Sequence, residues 1–403
     1  MDAAGRFAKN GFKTIGISSG LMLSCQLGFG IGIYVPDQDA EAAARADTFI
    51  AKADNPAAVY YNPAGLTQLA GWNCSGSLLG IQMRPRYRGT ASGRSREAVQ
   101  VLAQCYATFH PTNHALAFGL GLTTPFGLGI DYGADSPLRQ SVVRDSLQFL
   151  SVNGVVAWQI TPTFCVAAGP TCNFAALSLA QGLAPVNSGD LAKFAGSGTS
   201  VGGSVGVRWS LERFSLGAIY RGSGPIRYSG DFAVQPGVLP IPAANEPAHL
   251  QLAIPSQIGF GLGCAVTERM QVEVDALWTQ WSSWDEATLA KPSGNLSTQY
   301  QWQDSWILSG ATTWEVRVGT AVHLGYGYAQ PTIPDHTFTA AIPDSARHVI
   351  SFGLSQNLGA HLRGTVTFQE VFGTARHIQN AATLPGTYSF GSTAVSTSLV
   401  FRF

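Results

Sequence analysis

The sequence predicts an all-β membrane protein: an antiparallel transmembrane β-barrel of about 14 strands, its lumen plugged by an N-terminal, partly helical hatch. Three observations carry this. Only 12% of the 403 residues are charged while Gly reaches 46, a charged share about half that of an ordinary globular domain. Mean hydropathy is a modest +0.11, as expected of strands that alternate between two environments and so never form long apolar runs. From Gly71 onward the apolar period is two, and the breaks between runs are alternately short and long.

Taken in order, the chain divides into a signal peptide (1–28), a hatch (29–70) and a barrel (71–403). Arg6, Lys9 and Lys13 precede an uncharged, mostly apolar run from Thr14 to Gly30, the pattern of a secretory signal cleaved near 26–30. Cys25 raises the alternative of lipid attachment, but Met22-Leu23-Ser24 is a poor match to such a box. Residues 37–53 have acids in the first turn and strong helix formers after it, and predict a helix. It leads into Asp54-Asn-Pro-Ala-Ala-Val-Tyr-Tyr-Asn-Pro-Ala-Gly-Leu66, with two Asn-Pro-Ala triplets: Asn55, Pro56, Ala57 and Asn62, Pro63, Ala64. Proline removes a backbone donor and bars helical geometry from the residue before it, so the stretch should form short kinked helical turns.

The strands show the dyad pattern directly. Ile258, Phe260, Leu262, Cys264 and Val266 alternate with Gly259, Gly261, Gly263 and Ala265. Val272, Val274, Ala276 and Trp278 alternate with Gln271, Glu273, Asp275 and Leu277, and 316–328 behaves likewise. One face is apolar and the other small or polar, as for strands with lipid on one side. Short turns are expected at 110–114, 160–163, 211–214, 267–270, 313–316 and 356–361, separated by longer loops. Such asymmetry, with both ends on the short-turn side, suits an outer-membrane barrel, and closure leaves no unpaired edge in lipid. Trp278, Trp281, Trp284, Trp302, Trp306 and Trp314 cluster near strand ends, where aromatic girdles lie. Val395, Thr397, Leu399, Phe401 and Phe403 alternate to the last residue.

A barrel of this size encloses more space than its own side chains fill. Its inward positions are often Gly, Ala or Ser, so the 37–69 segment should occupy the lumen. A plugged barrel points to a gated, selective path rather than open diffusion.

Catalysis and cofactors find no support. Gly202-Gly-Ser204-Val-Gly206 fits G-x-S-x-G, but a strand follows it where the motif needs a strand–turn–helix elbow. His110 and His114 flank a Pro-Thr-Asn turn and cannot share a helix face as a zinc pair must. Gly119-Leu-Gly121 lies inside a strand. No cysteine pair has metal-ligand spacing, and Cys165 with Cys172 leaves a disulfide open. No cofactor, metal or nucleic-acid partner is expected, the last because net charge is zero.

The 54–66 stretch resembles the hatch signature of the FadL/TodX family of outer-membrane transporters for long-chain fatty acids and other hydrophobic compounds. The resemblance continues through Thr124-Pro-Phe-Gly127 with Asp131-Tyr132, Trp278 with Trp281 and Trp284, and Trp314-Glu-Val-Arg-Val-Gly319. It extends to Pro331-Thr-Ile-Pro334 and Ile342-Pro-Asp-Ser-Ala-Arg347, and so covers the mature chain. It implies capture of ligand at an outer apolar groove, transfer to an inner pocket, hatch movement, and lateral exit through a gap at a kinked third strand. Pro125, Phe126 and Gly127 would interrupt that strand. The implied partners are fatty acids or aromatic hydrocarbons, outer-membrane lipid and lipopolysaccharide, in the outer membrane of a Gram-negative-type bacterium, with a monomer expected. A carboxylate head group would need a cation, and by strand parity Arg317 and Arg347 point inward. Equally, they could pair with luminal Glu273, Asp275 or hatch acids. The alternative functions are a general diffusion porin for small polar solutes, which would need a wet charged constriction and no plug, or an outer-membrane enzyme or adhesin.

Overall fold

The computed structural model describes residues 33–96, 99–379 and 383–403. The expected signal segment, Cys25 included, lies outside the described residues. Fourteen antiparallel strands close into a barrel. They are β1 (Gly71–Met83), β2 (Val99–His110), β3 (Leu116–Thr123), β4 (Arg144–Gln159), β5 (Phe164–Gln181), β6 (Asp190–Leu211) and β7 (Phe214–Ser223). Then follow β8 (Gln257–Thr267), β9 (Met270–Thr279), β10 (Ser305–Arg317), β11 (Thr320–Ala329), β12 (Arg347–Asn357), β13 (Leu362–Gly373) and β14 (Gly391–Arg402). Closure is made by β14 against β1, in register from Asn73↔Arg402 to Met83↔Ser392.

The alternation read from the sequence sorts the faces. On β8, Phe260 and Leu262 are exposed outward while Gly259 and Gly261 face the lumen. On β9, Val274 is exposed and Glu273 and Asp275 are buried. A lone apolar residue needs no explanation, but dozens on one closed face mark a lipid-contact surface. Past the membrane zone the long connections also form strands. One small sheet joins Arg86–Gly89, Ser92–Arg94, Arg376–Ile378 and Gly386–Ser389, with Tyr87 packed on Tyr388 at 5.0 Å.

Three expectations are corrected here. The 37–53 helix shrinks to α1 (Ala40–Ala44), capped by Asp39 Oδ1 accepting from Glu41 N and Ala42 N. The chain then turns through Ala46 (φ 49°) and Asp47 (φ 60°), because its next amides are claimed by the barrel wall rather than by a helical turn. The turn expected at 313–316 lies farther on, at Val318-Gly319, where Gly319 takes φ 77°. Finally, Trp281, Trp284 and Trp302 are no membrane girdle. They turn inward as one stack, Trp284 on Trp302 at 4.6 Å, inside the core roofed by the long loops. The outward tryptophans at the short-turn end are Trp72, Trp158, Trp209 and Trp314.

Cys165 and Cys172 lie on the same strand, β5, and both are free, which excludes the disulfide. The G-x-S-x-G stretch is mid-strand in β6, and His110 Nε2 contacts His114 O across the β2–β3 turn.

Candidate functional site: hatch, cavity and wall gap

The hatch runs from residue 33 to Leu69 and contains α1, α2 (Ala58–Tyr61) and a 3₁₀ turn, Pro63–Gln68. Both asparagines of the Asn-Pro-Ala triplets organise it. Asn55 Oδ1 accepts from Ala57 N at 2.9 Å, and its amide donates to Asp39 Oδ1 at 3.0 Å, so the first triplet is tied to the α1 cap. Asn62 caps the 3₁₀ turn through Ala64 N at 3.2 Å, with Pro63 in the first helical position, where a missing N–H costs nothing. The same Asn62 amide donates to Ile50 O at 2.8 Å and to Val207 O of β6 at 3.0 Å, joining turn, hatch and wall. Ala57 and Ala64 are fully buried. Asn62→Ala is therefore expected to cost about 1–3 kcal/mol, through a lost cap and the lost bonds to the Ile50 and Val207 carbonyls. Faster exchange of the Ala64 and Gly65 amides in Asn62→Ala would register it.

Two wall carboxylates hold the hatch. Asp275 Oδ2 accepts from Phe49 N (2.7 Å) and Ile50 N (2.9 Å). Glu273 Oε1 accepts from Ala51 N (2.7 Å) and Lys52 N (3.2 Å), and Oε2 pairs with Arg45 Nη2 at 2.7 Å. Four consecutive amides thus point at two acids spaced i, i+2 on β9. Lys52 pairs in turn with Glu41 at 2.8 Å and with Asp54 at 2.5 Å. Coulombic attraction from Lys52, His323 and Arg363 outweighs burial and holds the Glu41 carboxyl far below the usual carboxylate range. Sequence reasoning named Glu273 and Asp275 only as possible partners of arginine. Two acids on the inward face of an otherwise uncharged strand were the available signal.

Wall glycines fit the hatch sterically. A Cβ on Gly325 would stand 2.3 Å from the Arg45 carbonyl carbon, one on Gly217 2.3 Å from Ile50 O, and one on Gly206 2.4 Å from Asn62 Oδ1. Those contacts are closer than any side chain allows.

The third strand breaks where Pro125, Phe126 and Gly127 stand. The β2–β3 ladder ends at Cys105↔Leu122, although β2 continues to Val99. Residues 124–127 instead turn inward and pair with the start of the hatch: Val35 N donates to Pro125 O and Gly127 N to Ile33 O, both at 2.8 Å. Gln38 locks the kink from the hatch side, its Nε2 donating to Thr124 O (3.1 Å) and its Oε1 accepting from Thr124 N (2.7 Å). Side chains cross the opening in the wall, Gln104 Nε2 to Thr124 Oγ1 (3.2 Å) and Gln100 Nε2 to Gly129 O (3.1 Å), and beyond them Arg96 N donates to Asp131 O at 2.8 Å. Gln38, Gln100 and Gln104 carried no motif in the sequence and were missed.

Between hatch and wall lies a cavity of about 90 Å³, room for several waters or a small apolar guest. Ile50, Ile81, Leu277, Ile307, Val349 and Val371 line it, together with Asp37, Asp47, Asp275, Arg221 and Arg347. Arg347 reaches it as expected, its guanidinium held by Asp344 Oδ1 at 3.3 Å and Pro343 O at 3.1 Å. Arg317 does not reach it. A register shift between Glu315 and Arg317 breaks the parity, leaving Arg317 exposed at the turn beside Thr320 (2.8 Å) and Gln356. No cluster able to hold a metal occurs among the described residues.

A closed, plugged barrel with an interrupted third strand defines a class of outer-membrane channel. Residues 22–402 match the family model described as outer membrane protein transport protein (OMPP1/FadL/TodX), and the chain belongs to that family. The family is one of transporters and not of enzymes. A FadL homologue of Pseudomonas aeruginosa superposes with TM-score 0.83 at 17% identity, over 92% of this chain and 100% of the other. The Pseudomonas putida toluene transporter TodX gives 0.77 at 18%, over 93% and 100%. The Ralstonia pickettii toluene transporter TbuX gives 0.72 at 17%, over 93% and 100%. At such identities the likeness is one of fold. No curated protein sequence matches this chain.

Proposed function

We propose that this protein takes hydrophobic compounds, fatty acids or aromatic hydrocarbons, across the outer membrane of a Gram-negative-type bacterium, with hatch rearrangement and lateral exit into the membrane. The observation that carries the reading is the direct linkage of hatch to wall gap: Gln38 and residues 33–35 bond to the kink at 124–127. A hatch that shifts must pull on the kink. A ligand in the apolar cavity is already on the path that such a shift would open, since Tyr34 lines the cavity and its ring packs on Phe126 at 5.7 Å. Burying a small apolar group there gains ~0.8 kcal/mol per CH₂, enough to draw it from water. Lipid and lipopolysaccharide surround the barrel in this reading, and a monomer suffices. Of the two arginines proposed as head-group contacts, Arg347 alone lines the cavity, and there Asp344 and the Pro343 carbonyl already engage it.

Whole-cell uptake of labelled oleate and labelled toluene, in wild type and in the variant Asn62→Ala with Pro63→Ala, tests this. A fall in either uptake, with the variant barrel still heat-modifiable, is the expected result. Uptake of both compounds no faster than in cells lacking the protein would end the proposal.

A further inference from the structure

The arginines and the acids that line the inner cavity differ in how far the protein itself satisfies them. The consequence rests on the transport reading above and narrows its ligand. Both cavity arginines are engaged by the protein. Arg221 donates to Gln257 Oε1 at 2.7 Å and to Tyr60 O at 3.2 Å, and its guanidinium lies 4.2 Å from the Tyr60 ring centroid. Arg347 is held by Asp344 and by the carbonyls of Pro343 and Ser345. Two of the acids each keep one oxygen unmatched, although Asp275 Oδ2 takes the Phe49 and Ile50 amides and Asp37 is hydrogen-bonded to Gln369. Asp37 Oδ1 and Asp275 Oδ1 are buried and meet no donor among the described residues, and each residue is only 7% exposed. Both line the cavity, as does Asp47, whose carboxyl takes the Tyr61 hydroxyl at 2.9 Å and lies against Asp37. A buried acceptor without a donor is costly, so a guest that supplies a donor recovers that cost, and a guest carboxylate would add a further acceptor.

From this geometry we infer that the cavity binds hydrophobic compounds carrying a hydrogen-bond-donating head, a phenolic hydroxyl or a protonated amine, in preference to carboxylates of the same size. The apolar walls take the ring or chain, and Asp37 takes the head. Burial pushes Asp37 above the ordinary carboxylate range, and burial with the neighbouring Asp37 charge pushes Asp47 well above it.

The test is calorimetric binding of toluene, p-cresol, benzylamine and benzoate to the whole detergent-solubilised protein. p-Cresol and benzylamine are expected to bind at least about tenfold tighter than benzoate, the size of one recovered hydrogen bond. In Asp37→Leu that ranking should vanish. In Asp37→Asn the preference for p-cresol should persist while that for benzylamine falls. Benzoate binding as tightly as p-cresol and benzylamine in the wild type overturns the inference whether or not either variant folds, and so does a ranking that survives Asp37→Leu. The transport reading fails separately, if toluene does not cross liposomes holding the protein while the binding order stands.

Discussion

The double substitution E273A/D275A is expected to release the hatch while leaving the barrel closed. Glu273 and Asp275 together accept four consecutive hatch amides and neutralise Arg45, whose side chain is fully buried. Removing one partner of a buried pair costs about 3–5 kcal/mol, because an uncompensated charge remains inside. The hatch avoids that cost by leaving its seat and hydrating Arg45 and the amides of Phe49–Lys52. The barrel has no comparable reason to open. Its β9 pairings, Glu273↔Ala311 and Asp275↔Ser309, are backbone ladders and survive the loss of side chains. Hydrogen exchange of the 49–52 amides should accelerate by several orders of magnitude, with strand amides unchanged. Ion conductance in planar bilayers should rise as the lumen empties. Protected 49–52 amides in the double variant would show that the wall carboxylates do not hold the plug.

Gly325→Val should have a comparable effect by steric means. A Cβ at Gly325 would lie 2.3 Å from Arg45 C and 2.4 Å from Ala46 N, both backbone atoms that no rotamer change can move aside. Overfilling a packed site costs about 1–3 kcal/mol where neighbours give way, and more where they cannot. Here they are pinned, since Arg45 donates to Thr48 O, to Thr313 and to Glu273. Valine is otherwise at home in a strand, so the β11 ladder gains rather than loses. The expected outcome is a folded, heat-modifiable barrel with elevated conductance. Wild-type conductance in this variant would mean that the hatch seats elsewhere.

The barrel was legible in the sequence because lipid imposes a period of two on every strand. Val322, Leu324 and Tyr326 against Ala321, His323 and Gly325 is a pattern that no loop disguises. The Asn-Pro-Ala triplets were legible for the same local reason: Asn and Pro have fixed capping roles, and Asn62 and Pro63 fill them. What escaped was whatever depends on partners distant in sequence. Residues 37–53 have helical propensity, yet only Ala40–Ala44 is helical, because wall acids more than two hundred residues away claim the later amides. Arg317 was placed inward by parity, and a single bulge reversed it. The tryptophans of 281–302 read as a girdle, since composition alone cannot tell a membrane interface from a loop core. Gln38, Gln100 and Gln104 gain their meaning from a gap that exists only once the third strand bends.

The most direct measurement of the account is paired influx into liposomes holding the purified wild-type protein, with labelled toluene and a small sugar such as arabinose in the same preparation. A plugged barrel with an apolar inner path predicts toluene entering faster than into empty liposomes and arabinose entering no faster. Rapid arabinose entry, with toluene at the background rate, would contradict the account and leave a general porin in its place.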